Sequence, residues 1–100
     1  MQIRKVLGSL ELLVMLALMK GRRAASAEEI NRRIKEAGGP SRLGGVHTTV
    51  IRLRKGPLVS HRVDSSANLR AGSPQVFYSI TESGRACVKR YLKVIGGLTG

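Results

Sequence analysis

The sequence predicts an α+β fold, mostly helical, made of three helices, a two-stranded hairpin and a closing helix. Three observations predict it. Apolar residues return every three or four positions in several separate stretches, the pattern switches to alternation between residues 59 and 80, and glycines, prolines and capping residues fall between those stretches. A chain of 100 residues that is 42% hydrophobic has a single-domain length with a modest core. Its aromatics are few (Phe77, Tyr78 and Tyr91), so the core falls to Leu, Ile, Val and Ala, which suits packed helices.

The first helix is expected over residues 8–20. It is apolar nearly all round from Leu12 to Met19, which requires burial on more than one side. A chain of this size has little protein to cover it, so a partner subunit is the expected lid. The same stretch imitates a secretory signal, with Arg4 and Lys5 before the apolar run and Ala25-Ser26-Ala27 after it. Glu11 interrupts that run, however, and Lys20, Arg22 and Arg23 fall where such a signal avoids charge. Leu12–Met19 is also too short to span a bilayer. A folded helix is the better reading, with no membrane among the expected partners.

The second helix opens on Ser26 with Glu29 three positions on, a capping box. Ile30, Ile34 and Ala37 form its buried stripe, Asn31, Arg32, Arg33 and Lys35 are left outside, and Gly38-Gly39-Pro40 stops it. The third helix, about residues 44–55, buries Val46, Val50 and Leu53 with Thr49 at the flank. Thr48, Arg52 and Lys55 point the other way, with His47, Ile51 and Arg54 between, and Gly56-Pro57 closes the helix. Alternation then marks one strand, in which Val59, His61 and Val63 take turns with Ser60, Arg62 and Asp64. Val76, Tyr78 and Ile80, between Phe77 and Ser79, mark a second, across the turn-rich loop Ser65–Ser73. Thr81 caps a last helix of about residues 82–95, where Val88, Leu92 and Ile95 share a face before Gly96-Gly97 ends it.

Eighteen Lys and Arg against six Asp and Glu give a net charge of +12, a field that attracts polyanions and points first to nucleic acid. A single cysteine, Cys87, excludes an internal disulfide framework and a cysteine metal site, and leads us to expect an intracellular, cytoplasmic setting. His47 and His61 have no ligand-spaced partners, and the glycines at 38 and 44 are followed by no Gly-Lys-Ser/Thr of a phosphate loop. The expectation is therefore a binding protein, not an enzyme, with no metal and no cofactor.

Three helices followed by a two-stranded wing is the winged form of the helix-turn-helix, whose third helix enters the DNA major groove. At the residue level the chain resembles the PadR family of transcriptional regulators from Leu7 to Leu92. "LGSLELLVMLALMKG" is similar to that family's leucine-rich first helix. "LGGVHTTVIRLRKGPLV" is similar to its recognition-helix segment, and "PQVFYSITESGRACV" to its second wing strand running into the last helix. The chain departs from the family pattern at His47, where Tyr is common, at Arg54, where Glu is usual, and at Ala27-Glu28-Glu29, which stands for Gly-Tyr-Glu. Its wing shows Ser73, Pro74, Gln75 and Val76 in place of a string of arginines.

Thr48 and Arg52, four apart near the helix start, are expected to face base edges. Arg42, His47, Lys55, Arg62 and Arg70 are assigned to phosphates, which fix register without reading sequence. A two-fold dimer would present two recognition helices to a pseudo-palindromic operator, with Leu13, Leu16, Val88, Leu92 and Ile95 as the expected interface, and the resemblance implies the same. The function expected is a sequence-specific regulator of transcription, with repression the expected mode and any effector unassigned. Two other readings remain open at this stage: a structural RNA-binding or ribosome-associated winged-helix protein, and an architectural protein that coats DNA without sequence choice.

Overall fold

The computed structural model describes residues 8–21, 23–64 and 75–99. The chain forms α1 (Ser9–Gly21), α2 (Ala27–Glu36), α3 (Leu43–Arg54), β1 (Val59–Asp64), β2 (Gln75–Ile80) and α4 (Glu82–Thr99), the expected order. β1 and β2 pair antiparallel from Val59 opposite Ile80 to Asp64 opposite Gln75. The expected turn-rich loop between them lies outside the described residues.

α1 is the central strut, packing against α2, α3, α4 and β2. Val14, Met15, Ala17 and Leu18 are buried in it, and Leu10, Leu12, Leu13, Leu16 and Met19 are partly buried against the same core. The chain's own elements thus cover most of a helix for which a partner was the expected lid. Glu11 is buried too, and its carboxylate accepts the Gly8 N–H at 2.9 Å, which satisfies an amide at the helix start.

α2 begins as expected, with the Ser26 hydroxyl accepting the Glu29 N–H at 3.2 Å. The other half of the capping box does not form, because the Glu29 carboxylate turns to Arg32 and Arg33. These partners, the Arg32 hydrogen bond foremost, hold the Glu29 carboxyl below its usual range, and together they outweigh the opposing effect of burial. Arg33 was expected outside, yet it lies half-buried and donates to the Ala17 carbonyl of α1 at 2.8 Å. Gly21 makes room for that guanidinium, since a Cβ there would overlap it. The helix ends in a Schellman turn: Gly38 takes φ +90°, its N–H bonds Lys35 O at 2.9 Å, and the Gly39 N–H bonds Ile34 O at 2.9 Å.

Two contacts seat the wing. Ala25 and Tyr78 exchange backbone hydrogen bonds of 2.9 and 2.8 Å, joining β2 to the segment before α2. At the root of the hairpin the Leu58 carbonyl accepts the Thr81 N–H at 3.0 Å, while the Thr81 hydroxyl accepts the Gly84 N–H at 3.0 Å as the expected cap of α4. That hydroxyl also lies 2.6 Å from the Pro57 carbonyl, to which it donates. Gly84 is buried so closely that a Cβ would overlap the Leu58 carbonyl oxygen and stand 2.7 Å from Ile80 Cγ1.

α4 runs through Gly96 and Gly97 to Thr99 instead of stopping near residue 95. Each glycine costs a helix about 1 kcal/mol relative to Ala without forbidding it. Gly38 is the only described glycine with positive φ, so neither Gly96 nor Gly97 adopts the left-handed turn that would end the helix.

Gly84→Ala is expected to destabilise the fold by about 1–3 kcal/mol, because backbone on one side cannot yield to the added methyl. Urea unfolding measures this directly, and an unchanged midpoint would show that the junction yields. Removing the Arg33 reach, by Arg33→Ala, should cost about 1–2 kcal/mol in the same measurement, whereas Arg32→Ala on the exposed face should cost under about 0.5.

Candidate nucleic-acid interface

α3 is placed by its buried stripe. Val46 and Val50 are fully buried, Leu53 nearly so, and Thr49 is buried beside them. This fixes the opposite face toward solvent, where Gly44, His47, Thr48, Arg52 and Lys55 are exposed and Ile51 is half-exposed in their midst. Gly44 has open space where a side chain would be, so backbone as well as side chains can be approached there. The Thr48 hydroxyl donates to the Gly44 carbonyl at 3.1 Å, which leaves its oxygen as an acceptor and its methyl as an apolar contact.

Charge sharpens this face. α3 contains no acidic residue, and Arg42, Arg52, Arg54 and Lys55 form no ion pair among the described residues. Arg32 and Arg33 of α2, by contrast, are matched by Glu29. Uncompensated cations thus stand on α3 and at its two ends.

Arg42 stands at the N-cap of α3 and Lys55 at its C-cap, both exposed. His47 lines a shallow cleft of about 290 Å³ with Ser26, Glu28, Gln75, Val76 and Tyr78, where α3 meets the start of α2 and the wing. Sequence reasoning placed His47 at the backbone of a nucleic acid but missed Glu28 and Gln75 beside it. Their meeting depends on how α2 and the wing pack on α3, which no local pattern encodes. Arg62 is exposed on the wing, but its guanidinium sits 5.1 Å from the Phe77 ring centre and 3.8 Å from the Asp64 carboxylate. The wing holds it on two sides, and Phe77 is its direct cross-strand partner. Arg70 lies outside the described residues.

The residues expected at a dimer interface separate. Val88 is fully buried in the chain's own core, so it is unavailable to a partner and is struck from that set. Leu13 and Leu16 are half-buried and line a groove with Ile34 of α2 and Ala37 at its C-cap, to which α4 contributes nothing. Leu92 and Ile95 are 43% and 42% exposed and continue the stripe of Gly84 and Val88 outward, joined by Leu98 at 82%.

Among the described residues no cluster of three or more His, Cys, Asp or Glu side chains is placed to hold a metal, and no helix is long and apolar enough to cross a membrane. The arrangement is a winged helix-turn-helix with a cationic, outward-facing third helix.

No protein-family model matches the chain, and no curated protein matches it. Solved structures do. A PadR-like transcription factor from Bacteroides fragilis aligns at a TM-score of 0.75 with 26% identity, over 90% of this chain and 82% of that one. A PadR-family regulator from Eggerthella lenta aligns at 0.72 with 21% identity, over 87% and 74%. One from Clostridium difficile aligns at 0.68 with 17% identity, over 93% and 100%. The likeness to PadR-family regulators read from the sequence is therefore present in three dimensions, across nearly the whole chain.

Across the wing, Arg62 and Phe77 should couple by about 0.5–1 kcal/mol, as exposed cation–ring pairs do. A double-mutant cycle of Arg62→Ala and Phe77→Ala by urea unfolding measures that coupling. A value near zero would mean that the guanidinium is not held on the ring.

Proposed function

We propose that the protein is a DNA-binding regulator of transcription that places α3 in the major groove of an operator and the wing on the flanking backbone. One observation carries this reading: the outward face of α3 is exposed, carries no carboxylate of its own and is flanked by unpaired cations, while its other face is locked in the core. The similarity to the Bacteroides fragilis transcription factor supports it.

On this reading Arg52 donates in parallel to the O6 and N7 of a guanine, and Thr48 offers its acceptor oxygen or its methyl one helical turn earlier. Ile51, between them, meets a thymine methyl. Arg42, His47 and Lys55 contact phosphates from the ends and edge of the helix, and these contacts give affinity and register. Arg62 contributes less than its charge suggests, since Asp64 shares it. Arg70 is proposed for the phosphates of the wing side on sequence grounds alone.

The protein acts as a homodimer on a pseudo-palindromic site, joined through Leu92 and Ile95 of α4, with the Leu13–Leu16 groove as the second apolar area open to the partner. The support is the apolar stripe of α4, which outlasts the core that its first turns fill. Repression follows as the simplest mode, since a dimer covering a turn or more of promoter excludes the polymerase without further parts.

Fluorescence-anisotropy titration tests this reading, using the duplex upstream of the protein's own gene against a scrambled duplex and a structured RNA across a salt series. The upstream duplex should bind more tightly than the scrambled one by about a thousandfold or more. Arg52→Ala should cost about 1–3 kcal/mol and relax choice at one base position. Lys55→Ala should instead weaken all duplexes alike and reduce the salt slope by about 0.9. Equal binding of all three ligands would contradict a regulator that reads sequence. Leu92→Glu should shift sedimentation to the monomer and weaken operator binding with it.

A further inference from the structure

α4 carries a second cationic surface that the function proposed above leaves unused. Arg85, Lys89 and Lys93 recur at i, i+4 and i+8, about 6 Å apart along the axis given the rise of a helix. Arg90 flanks them. All four are exposed, and none forms an ion pair among the described residues. Glu82, in the first turn, is the only carboxylate of the helix. The apolar stripe of α4 lies on its other side, where Gly84 and Val88 are buried and Tyr91 packs on the core, so the cations face away from the body. They belong to a different helix from the cations of α3, and α3 and α4 each pack on α1 more than on each other.

We propose that this face of α4 binds the phosphate backbone of a second DNA duplex, so that the protein can hold two duplex segments together. Long cationic side chains without carboxylate partners suit phosphates and carry no sequence information. The face has no aromatic side chain on which single-stranded bases would stack. Leu92, Val94, Ile95 and Leu98 of the same helix are exposed apolar side chains, so an anionic membrane surface is the competing occupant that the test must separate. The proposal takes from the α3 reading only the identity of the first duplex.

The test loads the protein onto an immobilised duplex carrying its α3 site and then offers a fluorescent duplex of unrelated sequence. Loaded wild-type protein should retain the second duplex, with a salt slope of about 2–3 for three contacts. The variant R85Q/K89Q/K93Q should load onto the first duplex within about twofold of wild type and retain about tenfold less of the second, the loss expected when backbone cations are removed. The charge-preserving variant R85K/K89R/K93R should retain it as wild type does, which separates charge from helix stability. Undiminished capture by the glutamine variant overturns the proposal, as does failure of loaded wild type to capture the second duplex or its binding of phosphatidylserine vesicles instead. If the first duplex does not load at all, the α3 reading fails separately. Direct titration of the unrelated duplex then decides: loss in the glutamine variant sustains the α4 surface, and equal binding removes it.

Discussion

The geometry of this protein depends on one crowded junction, where the Leu58 carbonyl meets Thr81 and Gly84. The chain leaves α3 at Arg54, turns through Gly56-Pro57, and at Leu58 comes under the start of α4. The Thr81 N–H bonds the carbonyl of Leu58, and the Thr81 hydroxyl links the Pro57 carbonyl to the first amides of α4. Only a residue without a Cβ fits at position 84. The end of α3, the root of the wing and the start of α4 are therefore one unit. The Ala25–Tyr78 bridge ties the same wing to the entry of α2. With its root tied in two places, the wing is seated on the same elements that hold α3, and a surface made of both is built before any ligand arrives.

Charge is distributed in keeping with that mechanics. The acidic residues of α2 neutralise their own helix, and Asp64 partly neutralises the wing, while α3 and the outer face of α4 keep their cations unmatched. A net charge of +12 alone would suit any polyanion. Its concentration on faces held by buried stripes turns a general attraction into directed surfaces.

Much of this was legible in the sequence, and the reasons are local. The stripe Val46, Val50, Leu53 determines which way α3 faces, because three apolar residues one helical turn apart leave a single burial direction. Alternation marked the strands, and the observed register pairs Val59, His61 and Val63 with Ile80, Tyr78 and Val76 on one face, of which Val59 and Tyr78 are buried and the rest are partly or largely exposed. What the sequence hid was non-local. Arg33 looks like a surface residue until the Ala17 carbonyl of another helix comes within its reach. Val88 looks like part of an outward stripe until α1 closes over it, and the cover of α1 itself could not be counted before four elements were packed around it. The meeting of His47 with Glu28 and Gln75 belongs to the same class.

The central claim is that the exposed face of α3, oriented by its buried stripe, is the surface that meets DNA bases. Amide and side-chain NMR shifts of the protein, mapped on addition of its tightest-binding duplex, test it most directly. The account predicts that the largest changes fall on Gly44, His47, Thr48, Ile51, Arg52 and Lys55, while Val46, Val50 and Leu53 keep their core environment. Changes centred elsewhere, with the residues of α3 unmoved, would contradict it.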